Sequence, residues 1–305
     1  MKMFKILEKI ELFFLKPASA RPLGALRIGL ALVLLLQVYL LRSSVVDFFA
    51  GYGIVQGELA NYFIAPYSPR LSWIVNSLSY LGIGESISCY SCCGIYILSL
   101  VFLLLGLFTR TASFLVWALH WILMNTSETT SYGVDLYAHV FLFYLMWSPA
   151  GSAFSLDVFL HRCSSKSSSE ARLGIRVMQL HLCLTYFFSA WEKAKGVQWW
   201  NGEILWRALT LPEYRQFDLE WLVDWPKLLR FGGWAGLALE LGYCVFIWPK
   251  LSRKIWLAGI VGLHLGIVIF LGLTLFGIEM CVFSLTLFGI SAEQKMKKIF
   301  IWAKK

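Results

Sequence analysis

The sequence predicts an all-α, polytopic membrane bundle of about eight transmembrane helices with added interfacial helices. Three observations carry this prediction. Hydrophobic residues make up 58% of the 305 residues and charged residues 15%, with a mean hydropathy of +0.67, a balance outside that of soluble domains. Stretches such as 23–41 and 255–277 hold one ionisable residue each over the length of about 20 residues that a helix needs to cross hydrocarbon. The runs are continuously apolar rather than alternating, which excludes a β-barrel.

The first 22 residues form a basic, amphipathic interfacial segment that Pro17 and Pro22 interrupt; its apolar positions follow helical spacing, and no small-residue cleavage site marks a signal peptide. The transmembrane domain is expected over 23–292 and a basic cytoplasmic tail over 293–305. The first span, 23–41, contains Arg27, and the mixed region 43–85 reads as an outer loop with interfacial helical pieces such as 71–81. The second span, 88–108, opens with Cys89-x-x-Cys92-Cys93. Without a thioredoxin-like context these thiols read as packing residues or a local disulfide before redox chemistry.

The third span, 111–124, holds His120, and the fourth, 134–147, holds Asp135 and His139. A polar connection over 148–172 follows, with a serine-rich middle expected to be mobile. The fifth span, 173–191, leads into YFFSAWEKAKGVQWWNGEILWRALTL, an amphipathic connector follows to Arg230, and the sixth span, 231–248, contains Glu240. The apolar stretch 255–292 would be about 55 Å long as one helix, too long for one crossing, so two spans joined near Gly272 or Gly277 are expected.

The net charge of +9 is spread in clusters between apolar runs, which reads as a topology signal rather than a nucleic-acid surface. The basic-loop rule places both termini on the cytoplasmic side of a cell (inner) membrane crossed several times. The region 192–230 departs from it, carrying Lys193, Lys195, Arg207, Arg215, Lys227 and Arg230 on the expected outer side. Cys163, Cys183, Cys244 and Cys281 are scattered and imply no disulfide framework.

The chemistry concentrates at the end of the fifth span. Gln179, Tyr186, Ser189 and Lys193 share one helical face, with His181, Thr185 and Glu192 beside them. Lipid cannot satisfy such a polar wall, so it must face protein or a cavity. Desolvation disfavours an ammonium and is a route to a lysine base, which Glu192 would oppose. A catalytic base, an anionic-ligand contact and an interfacial anchor are all open readings of Lys193. His264 and Glu240 are candidates to pair across adjacent helices, and Asp135, His120 and His139 to line the same cavity; Arg27 reads as a structural ion-pair partner or a headgroup contact. No metal site is expected, because no His/Cys/Glu spacing matches one.

The segment from Tyr186, with Lys193 and then Trp-x-x-Gly, resembles the signature of the vitamin K-dependent gamma-carboxylase-like family of membrane domains, called HTTM domains. LGALRIGL, SPAGSAFSLD, LALELGY and FGIEM extend the resemblance along nearly the whole chain. It implies that Lys193 is a base toward a quinol of vitamin K or menaquinone type. Gln179, His181, Tyr186, Ser189, Glu192, Trp199 and Trp200 are the candidate quinol or substrate contacts, and Arg27, Asp135, Glu240 and His264 the supporting polar groups.

Three departures separate this chain from the animal carboxylases: Glu192-Lys193 in place of a lysine pair, YGVDLYAH in place of an Asn-His, and no large extramembrane region after the membrane domain. Two functions follow as expectations. One is a carboxylase-like, quinol- or lipid-linked enzyme that modifies a peptide or membrane-protein partner. The other is a non-catalytic maturation, assembly or immunity-type subunit for such a partner. A passive carrier is a third reading. The lipid bilayer is a partner in every case, and nucleic acid in none.

Overall fold

The computed structural model describes residues 2–53, 65–126 and 131–293, and the basic tail lies outside them. The described residues are helical apart from turns and an isolated antiparallel bridge between Ala18 and Ser168. In chain order the helices are α1 (Lys2–Leu15), α2 (Arg21–Leu41), α3 (Val45–Phe49), α4 (Leu71–Ser79), α5 (Glu85–Leu105), α6 (Thr109–Thr126) and α7 (Gly133–Trp147). They continue as α8 (Leu156–Phe159), α9 (Ser169–Ala194), α10 (Val197–Asn201), α11 (Glu203–Thr210), α12 (Pro226–Phe246), α13 (Lys250–Leu271) and α14 (Thr274–Ser284), the last running on into a π turn.

By length and composition α2, α5 and α13 can each cross a membrane, and α7 and Thr274–Gly289 are shorter apolar helices. The other expected spans coincide with α6, α9 and α12, which carry more polar and charged residues. The expected break in the last apolar stretch falls at Gly272, whose φ of +69° is a left-handed conformation that suits glycine.

Helix α2 is central. Leu23, Leu26, Leu30 and Leu34 follow helical spacing and are fully buried, and the helix packs against both α5 and α14. Outside it, α9 packs on α12, α6 on α7 and α13 on α14. The amphipathic α1 lies along α9: the Arg172 and Arg176 side chains donate to the Lys16 and Phe13 carbonyls, and the Arg176 guanidinium stacks 4.2 Å from the Phe13 ring. Phe4, Ile6, Leu7 and Ile10 of α1 are exposed, as suits a helix at a membrane surface.

The serine-rich connection, expected to be mobile, is pinned at its end. Ser168 exchanges backbone hydrogen bonds with Ala18, and its hydroxyl caps α9 by accepting from the Ala171 N–H. Cys89, Cys92 and Cys93 are buried, free thiols along one helix, so the local disulfide is not formed. Packing explains their burial.

Arg27 is neither an ion-pair partner at contact distance nor a headgroup contact. It is fully buried and donates to the Leu103, Leu104 and Phe154 carbonyls, the Phe154 contact being 2.6 Å. Two of these carbonyls belong to the last turn of α5, where helix geometry leaves acceptors without intrahelical partners. Gly106 ends that helix at a φ of +67°, and a Cβ there would lie 2.4 Å from the Ser155 Cβ. Asp157 completes the knot by accepting from the Phe108 N–H at 2.9 Å, the Thr109 N–H at 2.8 Å and the Thr109 hydroxyl at 2.7 Å, which caps the start of α6.

Burial alone pushes the Asp157 carboxyl up, but the Thr109 and Phe108 donors and the Arg162 charge outweigh it and hold the group below its ordinary 3.8. A depressed carboxyl contributes stability above its unfolded value that is lost as pH falls through the folded one. Asp157→Ala is expected to cost about 1–2 kcal/mol at neutral pH through loss of the cap. In thermal unfolding of the detergent-solubilised protein, the gap between wild type and variant should narrow progressively below pH 3.8.

Candidate functional site

The end of α9 meets α12 at a two-pronged ion pair. Lys193 Nζ lies 2.6 Å from Glu240 Oε1 and 2.7 Å from Oε2, and the Ser189 hydroxyl donates to Oε2 at 3.3 Å. Glu240 is buried, whereas the Lys193 side chain is 30% exposed. Ser189 and Lys193 are four residues apart on α9, so one helical face delivers both donors to one carboxylate. An ammonium has three hydrogens. Two are directed to Glu240, and the Trp199 ring centroid stands 5.2 Å from Nζ. The third hydrogen is the donor available to an anion or an oxygen of a bound molecule.

Trp199 is held by the turn after α9. Gly202, at φ +88°, separates α10 from α11 and lies against the Arg230 backbone, where a Cβ would be 2.7 Å from its nitrogen. Gly233 gives the same close approach to the Trp199 carbonyl. Trp200 turns elsewhere: its indole donates to the Ala194 carbonyl at 2.8 Å and its own carbonyl accepts from Trp234.

One turn deeper, the Tyr186 hydroxyl is 2.9 Å from His264 Nε2, and its ring packs 4.3 Å from Tyr243, which donates to Ser284 at 3.2 Å. His264 and Glu240 therefore do not pair with each other, because Tyr186 and Lys193 stand between them as partners. Deeper still, Gln179 accepts from Arg176 at 2.8 Å and donates to the Leu287 carbonyl at 2.6 Å, while His181 bonds the Tyr144 hydroxyl at 3.0 Å on another face. The polar wall thus exists, and its bonds run to α12, α13 and the π turn after α14.

Glu192 points away from this array and forms an exposed ion pair with Lys195 at 2.6 Å. Similar local pairs, Arg207 with Glu203 and Arg215 with Asp218 and Glu220, neutralise other cations of the segment that departs from the basic-loop rule. Those charges are thus offset within the segment itself.

A cavity of about 290 Å³ lies elsewhere, between α2, α3, α5, α6 and α7. Asp135 and His120 line it, but Lys193, Tyr186 and Ser189 do not. His139, expected in the same cavity, is absent from its lining and stacks 5.3 Å from Trp117. Sequence reasoning missed Glu279, which is completely buried with neither carboxylate oxygen hydrogen-bonded, although an acid within FGIEM was itself the signal.

The clamp between Lys193 and Glu240 makes a stability prediction. Removing one partner of a buried pair leaves a charge unmatched, whereas replacing both with apolar residues removes the desolvation cost as well. Lys193→Met and Glu240→Leu alone should each lower thermal stability, and the double variant should recover a coupling of about 1–3 kcal/mol. Additive losses in detergent unfolding would show that the two side chains do not act as a pair.

Neither a curated protein nor a solved structure matches the chain. A family model described as the HTTM domain matches residues 16–291, a range that includes every residue of the Lys193 array and of the cavity. The chain belongs to the HTTM domain family.

Proposed function

We propose that this HTTM protein is a multi-pass enzyme of a cell (inner) membrane, with eight crossings and cytoplasmic termini, in which Lys193 is the base toward a quinol or a similar lipid-like amphiphile. The observation that carries the reading is the two-pronged pair of Lys193 with Glu240, beside Trp199, in a member of a family related to the carboxylase membrane domain. Lys193 and Trp199 are the residues that would hold the quinol, through the third Nζ hydrogen and the indole face.

The pair also supplies the proton path. In the resting pair Lys193 is an ammonium and Glu240 a carboxylate. Lys193 can act as a base once it has passed one proton to Glu240, becoming an amine. When bound, a quinol would supply a hydroxyl proton: Lys193 as the amine would take it and, as an ammonium again, would stabilise the oxygen left behind, so that in sum one proton would pass to Glu240 with no net charge created. By the resemblance to the carboxylases, such a quinol would supply the strong base for modifying a peptide or membrane-protein partner.

The same contact favours a second reading, a maturation or assembly subunit that binds its partner without turnover. Both Glu240 oxygens bond the ammonium, so the pair also serves as a strut that joins α9 to α12. Lys193→Arg separates the two. A guanidinium keeps the strut but does not surrender its proton. For the enzyme, oxygen-dependent consumption of reduced menaquinone by the reconstituted protein should fall about 100-fold or more in Lys193→Arg, with thermal stability retained. Equal consumption by wild type and variant would remove the catalytic reading.

A further inference from the structure

We propose that the cavity between α2, α3, α5, α6 and α7 is a second binding site, taking a lipophilic amine: an apolar molecule that carries one protonated nitrogen. At about 290 Å³ it lies near the lower end of the roughly 300–1,000 Å³ typical of small-molecule sites. Its walls are mainly apolar, with Val38, Phe49, Leu123 and Leu275 among them. Such walls select a hydrocarbon body.

The polar end selects the head. Gln37 Nε2 donates to Asp135 Oδ1 at 2.6 Å, and the Tyr132 N–H donates to Oδ2 at 3.1 Å. His120 Nε2 faces the Asp135 carbonyl at 3.0 Å, and a carbonyl can only accept, so Nε2 carries the hydrogen. In the neutral ring Nδ1 is then the acceptor of the Tyr96 hydroxyl hydrogen, 3.1 Å away. These bonds consume the Tyr96 and His120 hydrogens and one of the Gln37 amide hydrogens. What remains is mostly acceptor capacity: the Tyr96 oxygen, Gln37 Oε1 and the further lone pairs of the Asp135 carboxylate. An occupant that donates therefore finds more partners there than one that only accepts.

Charge narrows the donor to a cation. Among the described residues, the lining contains Asp135 and no Lys or Arg. The Asp135 carboxylate at one end of an apolar cavity favours an ammonium over a neutral alcohol, and disfavours a carboxylate by repulsion.

The test is equilibrium binding of radiolabelled octylamine to the full chain in nanodiscs, with protein-free nanodiscs as the baseline for partition into lipid. Saturable binding above that baseline is expected, displaced by unlabelled octylamine at about tenfold lower concentration than by octanol, and not displaced by octanoate. Asp135→Asn keeps an acceptor for the helix start and should weaken octylamine about tenfold. Val38→Trp, which fills the cavity from a partly exposed position, should abolish binding. Equal displacement by octanol or octanoate, wild-type affinity in Asp135→Asn, or uptake no greater than in empty nanodiscs would overturn the proposal. If Asp135→Asn does not fold, the competition series on the wild-type protein and Val38→Trp decide it.

Discussion

Hydrocarbon offers no hydrogen bonds, and that constraint governs the architecture more than any single contact. A polar group among the central helices can find a partner only in protein, so a polar residue that is bonded there fixes the position of a neighbouring element. Arg27 shows the effect. Its guanidinium gathers three carbonyls from the end of α5 and from the segment before α8, while Asp157 of α8 caps α6. One buried arginine and one buried aspartate thus set the α5–α6 corner against α2.

The same logic shapes the Lys193 array. A lysine at a helix end can reach the interface and remain solvated, so burial alone does not force it inward. Glu240 does, because a buried carboxylate on α12 needs compensation and α9 presents Ser189 and Lys193 on the adjoining face. Partial exposure leaves one ammonium hydrogen uncommitted, which is the difference between a purely structural pair and one able to meet a second molecule.

Periodicity in the sequence was enough to place the polar face of α9, and the length of the last apolar stretch to place a break near Gly272 or Gly277, of which Gly272 is the one used. It could not say what that face would meet. Tyr186 and Lys193 lie on one stripe, yet their partners come from α13 and α12, and no local pattern distinguishes His264 paired with Glu240 from His264 paired with Tyr186. Arg27 was read as an ion-pair partner because a charge in a span suggests an opposite charge. Helix-end carbonyls, which carry no side-chain signature, satisfy it instead. Glu192 lies next to Lys193 and Trp200 next to Trp199, but a helix turns about 100° per residue, and both point away.

Helix α14 is the element that the Lys193 side and the cavity share. Leu275 faces the cavity, while the next residue, Phe276, packs 5.7 Å from the His264 ring and 6.2 Å from that of Tyr137. Gly277 brings α14 onto the His264 backbone, where a Cβ would lie 2.7 Å from the carbonyl oxygen. His264 in turn bonds Tyr186, two turns of α9 before Lys193. Gly277 leaves no slack between α13 and α14, so the packing behind Leu275 and the Tyr186–His264 contact belong to one close-packed layer.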